Sequence, residues 1–427
     1  MGLALLCEEV TRGRKIIHVK RGLGEMPEQD GVINLGIVGL GIAGTSMIPA
    51  ILEHPHIRLA GVATRNKERL EKFAEDYQAE TYFTIDELCQ SKTIDAIYIA
   101  TPTELHKNHV KIAAEAKKHI IVEKPLAVTL EEAEEMIRVA EKNGVQLIVG
   151  HSHSFEPPIQ KMREIIDSGQ LGRVTMIHNW YYNDWLYRPR TPEELKTELG
   201  GGVTYRQGAH QFDIIRLLGG GQVRSVRAIT GVCDSERPTE GNHTVFLEFE
   251  NGVAATAVYN GYDHFHTTEL TYDIGEGGPL QKATQYGASR RAIKEAGSQN
   301  QEVALKTEAG YGGKRAKNYD GADEHHPFFG LTIVSCEKGV IRQHPDGLLV
   351  YGEDKKYVVP ISKKETGRLN VLQELYLAVV KQEKPIHDGH WARANLEICI
   401  KALQSSKERR ELLLQYQVPI VDEVGVK

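Results

Sequence analysis

From residue 33 onward, short apolar runs alternate with longer stretches whose apolar positions recur at helical spacing. The runs Ile33–Val38, Ile57–Ala63, Ile94–Ala100, Ile120–Val122 and Val145–Gly150 are nearly continuous in apolar residues. Such runs predict strands covered on both faces. Between them, Ser46–Leu52, Asn66–Tyr77 and Leu105–Lys117 predict helices, while Thr84–Glu87 and Thr129–Glu132 predict the capped starts of two more. This alternation predicts a doubly wound parallel sheet over residues 32–152, with a ligand crevice at the carboxyl ends of its strands.

The pattern then changes. Pro157–Ser168 and Thr204–Leu218 predict helices and Val174–Tyr182 a strand. Thr244–Glu250 and Val253–Tyr259 alternate with period two around Asn251-Gly252, a hairpin signal. Further strands are predicted at Leu331–Glu337, Val340–Gln343, Gly347–Tyr351 and Tyr357–Ile361. Residues 153–427 therefore predict a second α/β domain with a large, mostly antiparallel sheet, closed by amphipathic helices at Arg368–Lys381 and Trp391–Glu408. Residues 276–325 are polar and aperiodic, and predict a long arm or insertion, partly helical. Residues 1–31 predict a loose N-terminal extension. Its apolar start is too short, and too soon followed by Glu8 and Glu9, for a signal peptide; Leu6 stands where a myristoylation motif wants Ser or Thr.

The chemistry begins after the first strand. Gly39-Leu40-Gly41-Ile42-Ala43-Gly44 is a G-x-G-x-x-G turn between strand and helix. There the first glycine permits a tight reversal, the second lets backbone approach a pyrophosphate, and the third lets helix pack on strand. The second strand ends in Thr64-Arg65-Asn66 rather than in a carboxylate. A guanidinium and a hydroxyl there suit the 2′-phosphate of NADP somewhat better than the 2′-hydroxyl of NAD. Thr101, Pro102, Glu123 and Lys124 fall at later strand ends along the same edge. A Lys beside a nicotinamide, held by the rigid Pro125, can polarise a substrate hydroxyl once its pKa is lowered. Arg206, His210 and Asp213 fall on one face of a predicted helix. His210 suits a general base near neutral pH, with Asp213 to orient it. The loop Trp180–Arg190 combines aromatic walls with Tyr187, Arg188 and Arg190, fitting a ring substrate carrying carboxylates or a subunit interface equally well. His151 and His153 share a strand face without a third ligand, so no metal is expected.

Composition narrows the classes. A net charge of −6 with no basic block argues against a nucleic-acid partner, and no run is long enough for a membrane span. The 5 cysteines are scattered and odd in number, which fits buried thiols in a reducing cytoplasm rather than a disulfide framework.

Together the glycine turn, Ala100-Thr101-Pro102 with His106, Glu123-Lys124-Pro125 and Gly208-x-His210-x-x-Asp213 resemble the glucose–fructose oxidoreductase/inositol dehydrogenase (Gfo/Idh/MocA) family. The resemblance spans about residues 33–410. It implies an NAD(P)-dependent dehydrogenase, with Lys124 and His210 as catalytic partners, His106 near the cofactor, and a homodimer or homotetramer formed through the second sheet. Many relatives carry Asp where this chain has Arg206; an Arg there favours an anionic substrate over a polyol. His151–Phe155, Tyr187–Arg190, Gln207–Gln211 and His326–Gly330 resemble phthalate 4,5-cis-dihydrodiol dehydrogenase-like members. That likeness implies oxidation of a carboxylated cyclic cis-diol to a catechol. A sugar or inositol dehydrogenase and a non-catalytic NAD(P) sensor are the rival expectations.

Overall fold

The computed structural model describes residues 31–150, 152–281, 286–317 and 325–420. The first sheet contains β1 (Ile33–Val38), β2 (Ile57–Ala63), β3 (Glu80–Tyr82), β4 (Ala96–Ile99), β5 (His119–Val122) and β6 (Leu147–Val149). They are parallel, in the order β3-β2-β1-β4-β5-β6. The order reverses between β1 and β4, and the glycine turn sits at that switch point. Helices α1 (Ile42–Glu53), α2 (Lys67–Tyr77), α3 (Ile85–Gln90), α4 (His106–Glu115) and α5 (Leu130–Asn143) connect the strands. Their ends follow the sequence chemistry: the Thr129 side chain accepts from the Glu132 N–H at the start of α5, and Gly144 ends it in the left-handed region. Between those ends α5 buries Ala133, Met136, Ile137 and Ala140, a helical stripe that holds it against the sheet.

The second sheet has β7 (Val174–Tyr182), β8 (Val223–Gly231), β9 (Asn242–Phe249), β10 (Ala254–Asn260), β11 (Leu331–Cys336), β12 (Gly339–His344), β13 (Gly347–Gly352), β14 (Lys356–Pro360) and β15 (Leu412–Leu413). Their order is β14-β13-β12-β11-β7-β10-β9-β8-β15, antiparallel except where β7 meets β10. Helices α6 (Pro157–Asp167), α7 (Ala209–Gly219) and α11 (Gly389–Glu408) cover one face. On the other face Met176, Trp180 and Phe246 stand exposed, and the register sets Phe246 and His178 on either side of Thr256 in one cross-strand row.

Strands β3, β8 and β15 are additions to the sequence pattern, and three larger features depart from it. The helix expected from Thr204 starts as a π-helical turn, Thr204–Gly208, and becomes α-helical only at Ala209. The region 276–325 contains α8 (Ala288–Ala296) and α9 (Gln299–Thr307), and it folds back onto the first domain: the Tyr311 N–H donates to the Leu40 carbonyl at 3.1 Å, and its ring packs against Phe73. Helix α10 (Gly367–Val380), assigned by position to the second domain, instead packs on α1, burying Val371, Leu372 and Leu375 with Met47, Ile48 and Ile51. The boundary at residue 152 is therefore crossed by a helix returning from near the chain's end.

Candidate active site

Each glycine of the turn has its own steric reason. Gly39 has φ +98°, and a Cβ on it would lie 2.7 Å from the Ala100 carbonyl oxygen. A Cβ on Gly44 would lie 2.0 Å from the Gly39 oxygen, closer than any real contact. Around Gly41 nothing lies within 4 Å, so backbone is open to an incoming group where α1 begins. Glycines at both close contacts, an open second glycine and an uncapped helix start form a cradle that fits a pyrophosphate. Thr64 closes β2 with its N–H on the Tyr82 carbonyl, leaving Arg65 exposed beyond it. Thr101 is half-buried and bonds His109 through Oγ1 at 3.0 Å, with Pro102 exposed beside it.

His106, expected near the cofactor, has a different task. It is buried, with Nδ1 at 3.1 Å from the Pro125 carbonyl and Nε2 at 2.9 Å from the Thr101 carbonyl. Burial lowers its pKa to about 4, so the ring is neutral. The neutral ring lies between the Thr101 and Lys124 loops, and its single N–H donates to a carbonyl of one of them.

Lys124 follows Glu123, whose carboxylate accepts from the buried Tyr98 hydroxyl at 2.5 Å. The Lys124 ammonium donates to the Arg206 carbonyl at 3.2 Å, in the π-helical turn. Desolvation is the main reason its pKa falls to about 8; Arg206 and Arg190 add to the fall, while Glu123 and Glu276 oppose it. His210, two residues past that turn, is buried, with Nδ1 at 3.4 Å from Ser152 Oγ. Its ring meets His153 at 4.7 Å between centroids and Phe329 at 4.8 Å, while His153 stacks on Phe329 at 4.4 Å. Ser152, His153 and Phe329 thus wall the histidine. The sequence pattern assigns no site role to His153, Ser152 or Phe329, which it shows only within the stretches His151–Phe155 and His326–Gly330. His151 lies outside the described residues.

Three expected substrate ligands are otherwise engaged. Asp213 is 3% exposed; its carboxylate accepts from Trp391 Nε1 at 2.6 Å and from Ser154 Oγ at 2.5 Å, with His387 at 4.0 Å. It braces α7 against α11, since Trp391 on α11 and Ser154 converge on its carboxylate. Arg188 is paired with Asp184 at 2.8 Å and with Glu276, so its charge is already matched. The Tyr187 hydroxyl donates to Asp234 at 2.9 Å.

Arg190 and Arg206 are placed differently. Arg190 lies over the Trp185 ring at 3.9 Å and reaches Glu194 at 3.4 Å. Arg206 Nε is shielded from solvent without a hydrogen-bond partner. Burial would raise the Glu194 carboxyl, but Arg190, Lys306 and Arg206 outweigh it and hold it down near 2. Three cations therefore act on Glu194 beside Lys124, while Glu104 also acts on Arg206. Neither Glu194 nor Lys306 was legible as a site residue: Glu194 also completes the capping box of Thr191, a local role, and Lys306 lies in the aperiodic insertion.

Comparison with known proteins accounts for this arrangement. Residues 33–151 match the oxidoreductase family with the NAD-binding Rossmann fold, Gfo/Idh/MocA, and residues 159–277 match the GFO/IDH/MocA C-terminal domain. The chain belongs to the Gfo/Idh/MocA family. It is 38% identical over 377 residues to the 1-carboxy-3-chloro-3,4-dihydroxycyclohexa-1,5-diene dehydrogenase of Comamonas testosteroni, covering 88% of this chain and 95% of that one. A Bordetella bronchiseptica protein described as a dehydrogenase has a solved structure that superposes with a TM-score of 0.85 at 37% identity, over 90% of this chain and all of that one. The fold also matches the WlbA dehydrogenase of Bordetella pertussis, solved with NADH and UDP-GlcNAcA, with a TM-score of 0.63 at 19% identity over 91% of this chain and 99% of that one. The protein is thus an NAD(P)-dependent dehydrogenase of this family, with its dinucleotide domain at residues 33–151. No described helix is long and apolar enough to cross a membrane.

Proposed function

We propose that this dehydrogenase oxidises a carboxylated cyclic cis-dihydrodiol to a catechol. The observation that carries the reading is the unpartnered, solvent-shielded Arg206 Nε within a cluster of three cations and one carboxylate. Such a cluster retains positive charge in a place where water cannot screen it, and suits an anion on a ring substrate. The named activity of the Comamonas relative, on a carboxylated dihydroxycyclohexadiene, supports the same reading. Arg65 and the lack of a carboxylate at the end of β2 favour NADP over NAD.

In this scheme the bound nicotinamide supplies an acceptor for the hydride that leaves the carbinol carbon. His210, with Nδ1 turned to Ser152, takes the hydroxyl proton at Nε2. The Lys124 ammonium donates to the developing alkoxide oxygen, and Arg206 with Arg190 holds the carboxylate. The ring proton next to the new carbonyl is then lost, and aromatisation to the catechol makes the oxidation downhill.

The test is reduction of NAD⁺ and NADP⁺ by purified protein with a phthalate cis-dihydrodiol, a carboxylated cyclic alcohol, myo-inositol and several aldoses. Turnover confined to the carboxylated rings, faster with NADP⁺, is expected. Turnover of inositol or aldoses would overturn the substrate reading, and tight cofactor binding without turnover would favour a sensor.

We infer also that a second copy of the chain covers the exposed sheet face bearing Met176, Trp180 and Phe246. A row of large apolar side chains on a solvent-facing sheet is costly in a monomer. Phe246→Glu with Trp180→Glu is expected to sediment as a monomer, whereas the native chain sediments as a dimer or tetramer; a monomeric native chain would contradict this.

A further inference from the structure

The insertion reaches both halves of the site through polar contacts on a single helix. In α9, Gln299 Nε2 donates to the Arg190 carbonyl at 2.8 Å. Glu302, 7% exposed, accepts from Arg237 at 2.8 Å and from the Arg190 N–H at 3.3 Å. Lys306, one turn on, pairs with Glu194 Oε2. The helix ends there, and the Thr307 carbonyl accepts from Arg69 Nη2 at 2.7 Å, while Arg69 Nη1 donates to the Leu40 carbonyl at 3.2 Å. One end of this segment thus grips the anion cluster, and the other grips the glycine turn.

Glu194 is the carboxylate that could cancel the cluster. It is mostly buried, it already lies 3.4 Å from Arg190, and Arg206 is within its electrostatic reach. Its second oxygen is occupied by Lys306 and by the Thr191 N–H at 2.8 Å. Arg206, whose charge already acts on Glu194, carries a buried donor with an unmet hydrogen, and without a cation on that oxygen a pair between the two would fill the anion subsite from within.

We propose that Lys306 is the positioning residue that gives this enzyme its selectivity for a carboxylated substrate: by engaging Glu194 it leaves Arg206 to the substrate carboxylate. The inference rests on the carboxylated-ring reading above. It also gives the insertion a task, since the ligand-selecting cation comes from a helix whose next turn is tied to the cofactor loop. Lys306 acts through Glu194 and touches neither substrate nor cofactor.

The experiment compares a carboxylated cis-dihydrodiol with the same diol lacking the carboxylate, in the full-length protein. With Lys306→Met, KM for the carboxylated diol is expected to rise about tenfold, kcat to stay within about twofold, and KM for the uncharged diol to hold. Lys306→Arg should restore the native values. Glu194→Gln, which removes the competing carboxylate, should lower KM for the carboxylated diol. Cofactor affinity, read by fluorescence quenching, should hold within about twofold in all three, reporting that α9 is still docked. Equal rises in KM for both diols, or no rescue by arginine, would overturn the proposal. A native enzyme indifferent to the carboxylate would sink the substrate reading itself. A selective native enzyme whose selectivity survives in Lys306→Met would sink only the role of Lys306.

Discussion

Replacing Lys124 by Met is expected to lower kcat by about 10²–10⁴-fold while leaving cofactor affinity nearly unchanged. The side chain is half-buried at the end of β5, tethered to the Arg206 carbonyl, and surrounded by groups that together bring its pKa to about 8. An amine with that pKa is still mostly an ammonium at neutral pH, yet it gives up its proton far more readily than an exposed lysine. The sign of the pH dependence follows. Because the folded pKa is depressed from 10.5, the donating form prevails below about pH 8 and is lost above it. In the native enzyme kcat/KM should therefore fall about tenfold per pH unit above that point. Lys124→Arg, which stays charged, should retain a reduced plateau but move the alkaline limb beyond the measurable range. If Lys124→Met turned over within a fewfold of native, the mechanism would have to begin elsewhere.

The second large effect concerns stability. Asp213→Ala should cost about 3–5 kcal/mol, measured as a shift in the denaturation midpoint. The change strips partners from Trp391 Nε1 and Ser154, and it leaves the fully buried Arg216 without its nearest carboxylate. Arg216 stacks on the Trp391 ring at 3.8 Å and donates to the Trp391 carbonyl at 2.8 Å, so the damage would spread to the seam between α7 and α11. Asp213→Asn, which keeps the shape and one acceptor, should lose less. An Asp213 variant with a native denaturation midpoint but a roughly thousandfold lower kcat would restore the catalytic role that the motif suggested.

These two residues show what could be read from sequence and what could not. Five strands of the first sheet were legible because strands covered on both faces are written as apolar runs, and its glycine turn because each glycine has a local steric reason; the edge strand β3, Glu80-Thr81-Tyr82, carries no such run and was missed. β7 was found at its observed limits, its β-branched and aromatic residues marking a strand although the period is broken at its start. β8 was missed: a bulge between Val223 and Ser225 and the charged Arg224 and Arg227 disrupt its period. The dedication of Asp213 to the core was hidden because its partners, Trp391 and Ser154, are distant in the chain and meet it only on folding. The π-helical turn that shifts Arg206 relative to His210 is likewise announced by no single-residue property. Helices α8 and α9 bury no apolar stripe, so periodicity could not reveal them. They are held by part-buried polar pairs to residues about a hundred positions earlier, Lys306 with Glu194 and Ser289 with Asp184, and those pairs exist only once the chain has folded.

The seat of α10 on the first domain has a consequence for the order of events during synthesis. Its residues complete the core around α1, with the Tyr376 ring stacked on His56 at 4.5 Å and Arg368 donating to Ser46 at 3.1 Å. The strands β1–β6 leave the ribosome early, but the helix that seals their outer face is made only near the end of translation. At about 5–20 residues per second, the nascent dinucleotide domain waits on the order of tens of seconds with Met47, Ile48 and Ile51 uncovered. The part of the protein that resembles a self-sufficient nucleotide-binding module is thus completed only after strands β7–β14 of the second sheet have been made, and that interval is when a nascent-chain chaperone has its surface to hold.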